Sequence, residues 1–519
     1  MRQSPRAGAV VTALGIDVPE LQQARTLWQL NRFDESLQLF DKAVRKYPQN
    51  LLALVDASRA FGARFEITRA EALLDRLMEL GGRNAKILHL AGQSYRMLFR
   101  PEKAIDCFQR AVALDPSIAD AHLELAVQFE RRHRIDDAMA SVEKCLRAHP
   151  EYPEAKLMQA RLLGRKGDST ASDTLLHALA ENENNHPMVR AQAWAEIAQA
   201  LDEQGQYDHA MASMLRGKEF LRPHAAPFQQ ESAAVIPMLT AIIDSVTPAH
   251  FARWREQAAD FRPHKVALLT SFPRSGTTLL EQILDAHPGL ISSDEREAFA
   301  RDIFPAMWMS PTTRHPTLAA LDSIPKNTLA LQRTRYLDYM SAALNQSIGD
   351  RVHLDKNPPF TLLIPAVLRL FPEMKLLIAL RDPRDVVLSC FMQYLPLNTN
   401  SACYLSLEET AARYSTDMGA WLRLRDVIPS ACLEVRYEGL VSDLPAQAER
   451  ALKFLNLPWT PEVLNYRQRL QNKPVSSPTY RAVSKPIYTS AIRRWKHYEK
   501  HMGPALDHLQ PLIAAFGYS

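Results

Sequence analysis

Cysteine is scarce in this chain and never paired. Cys107, Cys145, Cys390, Cys403 and Cys432 are widely spaced, odd in number and without a C-x-x-C pair, which argues against a disulfide framework or a zinc knuckle and fits a reducing compartment. Long apolar runs are missing as well. No segment reaches the ~18 uninterrupted apolar residues of a membrane span, so the expectation is a cytoplasmic protein with no membrane partner. Charge of one sign is also lacking: 62 Lys and Arg against 58 Asp and Glu give a net charge of +4, too little for a protein that grips nucleic acid by its phosphates. The run "AGAVVTALGI" after Arg2 and Arg6 has some character of a short signal core. Asp17 and Glu20 follow it without an A-x-A cleavage site, so residues 1–16 are read as a loose leader.

With 519 residues, one hydrophobic core is too little, and two or more domains are expected. The first half repeats itself. In steps of about 34 residues, small residues recur at Ser36, Ala70, Ala104, Ala138 and Ser172. Large ones follow at Phe40, Leu74, Phe108, Val142 and Leu176, and Ala24, Ser58, Gly92, Ala126 and Ala160 share a third phase. Small residues let two helices of a hairpin approach, large ones fill the next layer, and Pro48, Pro116 and Pro150 stop the second helix. After a four-residue slip, Ala198, Ala210 and Met214 mark a sixth unit ending near Pro223. The pattern, clearest in "AGQSYRMLFRPEKAIDCFQRAVALDP", resembles the tetratricopeptide repeat. That resemblance implies a superhelix over residues 17–224 whose groove holds a peptide or another protein. Cys107 and Cys145 fall on buried phases, as packed thiols.

Residues 225–263 read as a helical connector. From 264 to 519 the pattern changes: "KVALLTSF", "RVHLD", "MKLLIAL" and "CLEVRY" have strand length, and amphipathic helices such as "TTLLEQILDAH" and "PAQAERALKFLNL" alternate with them. This is the signature of a parallel α/β sheet, whose ligands bind beyond the carboxyl ends of the strands.

Each polar cluster follows a strand. "SFPRSGTT" runs from the first strand into a helix and offers Arg274, Ser275, Gly276, Thr277 and Thr278, which are the backbone donors, hydroxyls and cation of an anion cradle at a helix N-terminus. Ser271 and Thr277 stand where a nucleotide-triphosphate loop has its first glycine and its lysine, which disfavours a kinase or ATPase. If the group transferred is sulfuryl, which carries less negative charge than a phosphoryl group and needs Mg²⁺ less, no metal is expected. "LLIALRDPRDVVLS" places Arg381 at a strand end and Ser389 two turns into the next helix, fit for a second phosphate.

On these motifs residues 264 to 500 resemble the sulfotransferases that use 3′-phosphoadenosine 5′-phosphosulfate (PAPS), the protein-tyrosine sulfotransferases above all. The resemblance implies a P-loop-like sulfotransferase domain over 264–519. It makes Arg274 to Thr278 the 5′-phosphosulfate loop, Arg381 and Ser389 the 3′-phosphate site, and Lys356 of "DKNPPFTL" the catalytic lysine. It makes Tyr437 of "VRYEGL" a nucleoside contact and Lys485 of "VSKPIY" a further cofactor lysine.

Transfer to a hydroxyl needs a base for the acceptor proton and a cation at the leaving oxygen. "SSDEREAF" offers Asp294, Glu295 and Glu297. By resemblance the register selects Glu295 as the base and gives charge stabilisation to Lys356 and Arg274. Two positions depart from the family: Glu297 and Gln393 stand where the tyrosine-modifying enzymes have arginines. Their late substrate serine has only the neighbourhood of Ser477 and Thr479 as a counterpart. The reading is therefore a PAPS-dependent sulfotransferase acting on protein tyrosine. A saccharide or small-phenol acceptor, or a repeat scaffold that binds nucleotide without turnover, are the alternatives. "HYEKH" lacks the order of a zinc motif and reads as a surface helix.

Overall fold

The computed structural model describes residues 17–310, 313, 315–428, 432–470 and 489–519. Lys485, Ser477 and Thr479 lie outside them. By its internal contacts the chain divides into two compact units: Met1–Leu162 with Asp338–Ser347, and Leu163–Leu337 with Ile348–Ser519.

The repeats are antiparallel helical hairpins. Pro19–Gln29 pairs with Phe33–Lys46, Leu51–Ala63 with Ile67–Gly81, Ala85–Met97 with Pro101–Leu114, and Ala119–Arg131 with Ile135–Ala148. Pro153–Arg165 and Ser169–Glu181 follow in the same order, and the helices Pro187–Glu203 and Tyr207–Leu221 pack as a further hairpin. The small-residue phases are the contact layer: Ala24, Ala126 and Ala160 are fully buried. A Cβ on Gly92 would stand 2.6 Å from Phe108, so the glycine makes room for the aromatic ring of its own hairpin. Turn residues keep the same period. Asn31, Phe65, Phe99, His133 and Gly167 all have positive φ, one per hairpin, and the next is Gly205. The added interval arises because Pro187–Glu203 has 17 residues where Pro153–Arg165 has 13. Cys107 and Cys145 are buried, which pushes each thiol up to about 11.

In the second unit five strands form a wholly parallel sheet among the described residues. They are β1 (Val266–Thr270), β2 (Leu290–Ser292), β3 (Val352–Lys356), β4 (Lys375–Leu380) and β5 (Cys432–Arg436), in spatial order β2-β3-β1-β4-β5. Sequence patterning finds all but β2, whose three residues are too few for a periodic signal. Central β1 is buried along its whole length, as the inner strands of a parallel sheet are. Ala267, Leu269, Leu280, Ile283 and Leu452 share one core with Leu377 of β4.

The order places a topological switch at the middle of the sheet. The chain leaves β1 toward β2 on one side and leaves β4 toward β5 on the other, so the loops after these two neighbours part and open a crevice. The last repeat hairpin belongs to this same unit. The Lys218 ammonium donates to the Gln393 carbonyl at 2.8 Å, and Arg494 pairs with Asp202 at 2.7 Å. Burial brings Lys218 down to about 7. The "HYEKH" stretch exposes His497 but buries Tyr498, and it lies in a 3₁₀ helix, Arg494–His501, in which the His497–His501 spacing does not align on one face. Among the described residues no single helix is long and apolar enough to cross a membrane.

Candidate functional site

The loop Ser271–Gly276 is pinned before it turns. Ser271 N–H donates to the Pro358 carbonyl at 3.1 Å, and Thr361 donates back to the Ser271 carbonyl at 3.0 Å. Arg274 takes φ 73° and Gly276 φ 94°. Gly276 precedes the helix Thr277–Asp285 without a side-chain cap, and a helix start of this kind favours an anion. A Cβ on Gly276 would meet Tyr437 at 2.7 Å. Glycine is needed here for the left-handed turn and for the ring that lies against it. Ser275, Thr277 and Thr278 are all buried.

Residues far apart in sequence converge on this loop. Arg274 Nε donates to Ser389 Oγ at 3.0 Å, and Arg381 donates to the Arg274 carbonyl at 3.2 Å and to the Ala491 carbonyl at 2.7 Å. The Arg381 guanidinium lies over the Tyr437 ring, 4.8 Å from its centroid. Arg381 is 8% exposed, and its Nε is buried without a hydrogen-bond partner among the described residues. A buried cationic N–H without an acceptor is costly, and an anion would satisfy it. Arg384, next in the motif, is not free for that role: Asp382 holds it at 2.9 and 2.7 Å. Arg274, Ser389, Arg381, Tyr437 and Gly276 therefore form one group, suited to an anion.

On the other side of β1, Lys356 ends β3 with no exposure at all. Its ammonium meets Glu295 Oε1 at 2.5 Å, Asp294 Oδ1 at 2.8 Å and Glu281 Oε2 at 3.5 Å. Burial alone would discharge it. Asp294, Glu281 and Glu295 outweigh that effect and hold it well above the usual lysine range. Lys356 and Glu295 are thus brought together, and Asp294 joins them from a left-handed backbone, φ 55°. Glu281 was not among the residues singled out by sequence. Its signal is a carboxylate one turn into a helix every residue of which is buried.

A buried network holds this cluster from behind. Tyr336 donates to Asp355 at 2.5 Å, and Asn357 donates to Asp355 and, at 3.0 Å, to the carbonyl of Arg296. Burial raises the Asp355 carboxyl to about 6. Glu297 points elsewhere, 57% exposed and paired with Arg301 at 3.4 Å.

Residues 267–461 match the model of the sulfotransferase family, and residues 21–85, 85–118 and 191–219 match models of the tetratricopeptide repeat. An uncharacterized protein of Aquifex aeolicus is 24% identical over 383 residues, 69% of this chain and 48% of its own length. Protein-tyrosine sulfotransferase 2 of Gallus gallus is 26% identical over 264 residues, 47% of this chain and 67% of its own. The sulfotransferase domain from the curacin biosynthetic pathway aligns with 20% identity and a TM-score of 0.35 over 50% of this chain and 99% of that one. The chain joins tetratricopeptide repeats to a domain of the sulfotransferase family.

Proposed function

We propose that this chain is an enzyme that moves a sulfuryl group from PAPS to an acceptor hydroxyl, with tyrosine of a protein or peptide as the first acceptor to test. The observation that carries this reading is the meeting of Arg274, Ser389 and Arg381 around a buried N–H that lacks an acceptor among the described residues. In this reading Arg274, Ser275, Gly276, Thr277 and Thr278 hold the 5′-phosphosulfate. Arg381 and Ser389 hold the 3′-phosphate, Tyr437 touches the nucleoside, and Lys485 adds a cation. The donor supplies an activated sulfur–oxygen bond. Glu295 takes the acceptor proton as the new oxygen–sulfur bond forms, and the bond from sulfur to the phosphate oxygen breaks. Its electron pair stays on the leaving 3′,5′-ADP, where Lys356 and Arg274 stabilise the charge. No metal is called for. The groove of residues 17–224 holds a polypeptide partner, and residues 225–263 connect it to the catalytic domain 264–519.

One observation favours a second reading. Glu297 replaces an arginine of the tyrosine-modifying enzymes and is occupied with Arg301, which suits a saccharide or small-phenol acceptor, or a scaffold without turnover. Transfer of radiolabelled sulfate from PAPS to a peptide library, wild type against Glu295→Ala, decides among them. Label on tyrosine peptides that is lost in the variant supports the first reading. Label on phenols or sugars alone supports the second, and donor binding without any transfer supports the scaffold.

A further inference from the structure

The three carboxylates at Lys356 are not equivalent. The Glu295 side chain is 36% exposed and the Asp294 side chain 10%, whereas the Glu281 side chain is wholly buried. Glu281 is also held by a hydrogen bond at one oxygen. The Ser292 hydroxyl of β2 donates to Oε1, while Oε2 faces the ammonium at 3.5 Å. Its Cα lies in a helix packed on the sheet core, so it cannot follow a substrate.

The chemistry proposed above asks two things of Lys356 at once. One of its three N–H groups must turn to the leaving oxygen, and its nearest counter-charge disappears when Glu295 takes up the acceptor proton. A buried ammonium that loses a partner carboxylate gives up its proton more readily. A counter-charge that neither moves nor titrates with the acceptor would prevent this.

We propose that Glu281 is a positioning residue for that reaction: the fixed carboxylate that keeps Lys356 charged and aimed while Glu295 is engaged with the acceptor. The inference rests on the sulfotransferase reading for its purpose, though not for its geometry. The groups facing Lys356 are Glu281 from the first helix, Asp294 and Glu295 from the segment after β2, and Asp355 from its own strand, itself bonded to Tyr336 and Asn357.

Glu281→Gln in the full chain tests it, with Ser292→Ala as a second variant that frees Oε1 without touching the carboxylate. Two readouts are needed. The first is the pH profile of kcat/KM: the alkaline limb should move down by about one unit or more in Glu281→Gln, with kcat lower by roughly 10- to 100-fold and 3′,5′-ADP affinity within about threefold. The second is independent of turnover, the titration of Lys356 by NMR of ¹³Cε-labelled lysine, assigned with Lys356→Arg. It should start at lower pH in Glu281→Gln and shift less in Ser292→Ala. Retained 3′,5′-ADP binding shows that either variant is folded. An unchanged lysine titration in both variants overturns the inference. Were wild type to transfer nothing, the sulfotransferase reading would fall by itself, and the lysine titration would still decide whether Glu281 governs Lys356.

Discussion

The two sides of β1 are opposite in electrostatic state. Beside β4, Arg381 keeps a buried N–H without an acceptor among the described residues, and the helix after Gly276 starts without a side-chain cap. Beside β3, Lys356 is surrounded by three carboxylates. One side calls for an anion, and the other is satisfied before any ligand arrives. The contrast teaches that binding and chemistry need different preparation. A donor site gains from unmet hydrogen-bonding capacity, whereas a reacting lysine must stay charged in a low-dielectric setting and so needs counter-charges of its own.

If the contrast holds, substitutions on the two sides separate turnover from binding. The largest effect belongs to Glu295→Gln, which should lower kcat by about 10²- to 10⁴-fold and leave 3′,5′-ADP affinity nearly unchanged in calorimetry. Equal losses in both quantities would break the division. Arg381→Ala should do the reverse, weakening 3′,5′-ADP by roughly 10- to 100-fold through loss of charge-assisted hydrogen bonds, with single-turnover rates at saturating donor much less affected. Gly276→Ala adds a Cβ 2.7 Å from Tyr437 at φ 94°. It should weaken nucleotide binding and cost about 1–3 kcal/mol of stability by denaturant titration.

The smallest effect lies beneath the lysine side. His353 is fully buried with neither ring nitrogen bonded among the described residues, and burial lowers it to about 4. A base whose folded pKa is depressed stabilises the fold fully above its unfolded value of ~6.5, and loses that contribution as pH falls toward 4. Asp355, raised to about 6, runs the other way, since its neutral form is the one the fold prefers: its contribution is lost as pH rises through that range. The two offset each other in wild type. His353→Leu should therefore gain Tm relative to wild type on going from pH 7 to pH 4, and a constant Tm difference would contradict the argument.

How much of this was legible in sequence follows from the same contrast. The donor side is written in continuous stretches, "PRSGTT" and "RDPRDVVLS", whose chemistry can be read from residue types at a strand-to-helix junction. The meeting of Arg274 with Ser389 adds what only the parallel pairing of β1 and β4 supplies. The lysine side was half legible. Lys356 and Glu295 follow from register with the family motif, while Asp294 was weighed as a rival to Glu295 and proves to be its companion. Glu281 escaped because its significance depends on β1 lying against β3, and on the three-residue β2 that brings Ser292 to it. The repeats were legible down to the slip before the sixth unit, because one turn geometry recurs in every hairpin. That the last hairpin shares a compact unit with the sheet, through Lys218 and Asp202, has no local signature.

The most direct test of the central claim is calorimetric titration of the folded wild-type chain with 3′,5′-ADP, alongside Arg381→Ala. The account predicts saturable one-site binding by wild type that is strongly weakened in the variant. No heat of binding from a folded wild type, or equal affinity in the two, would contradict it.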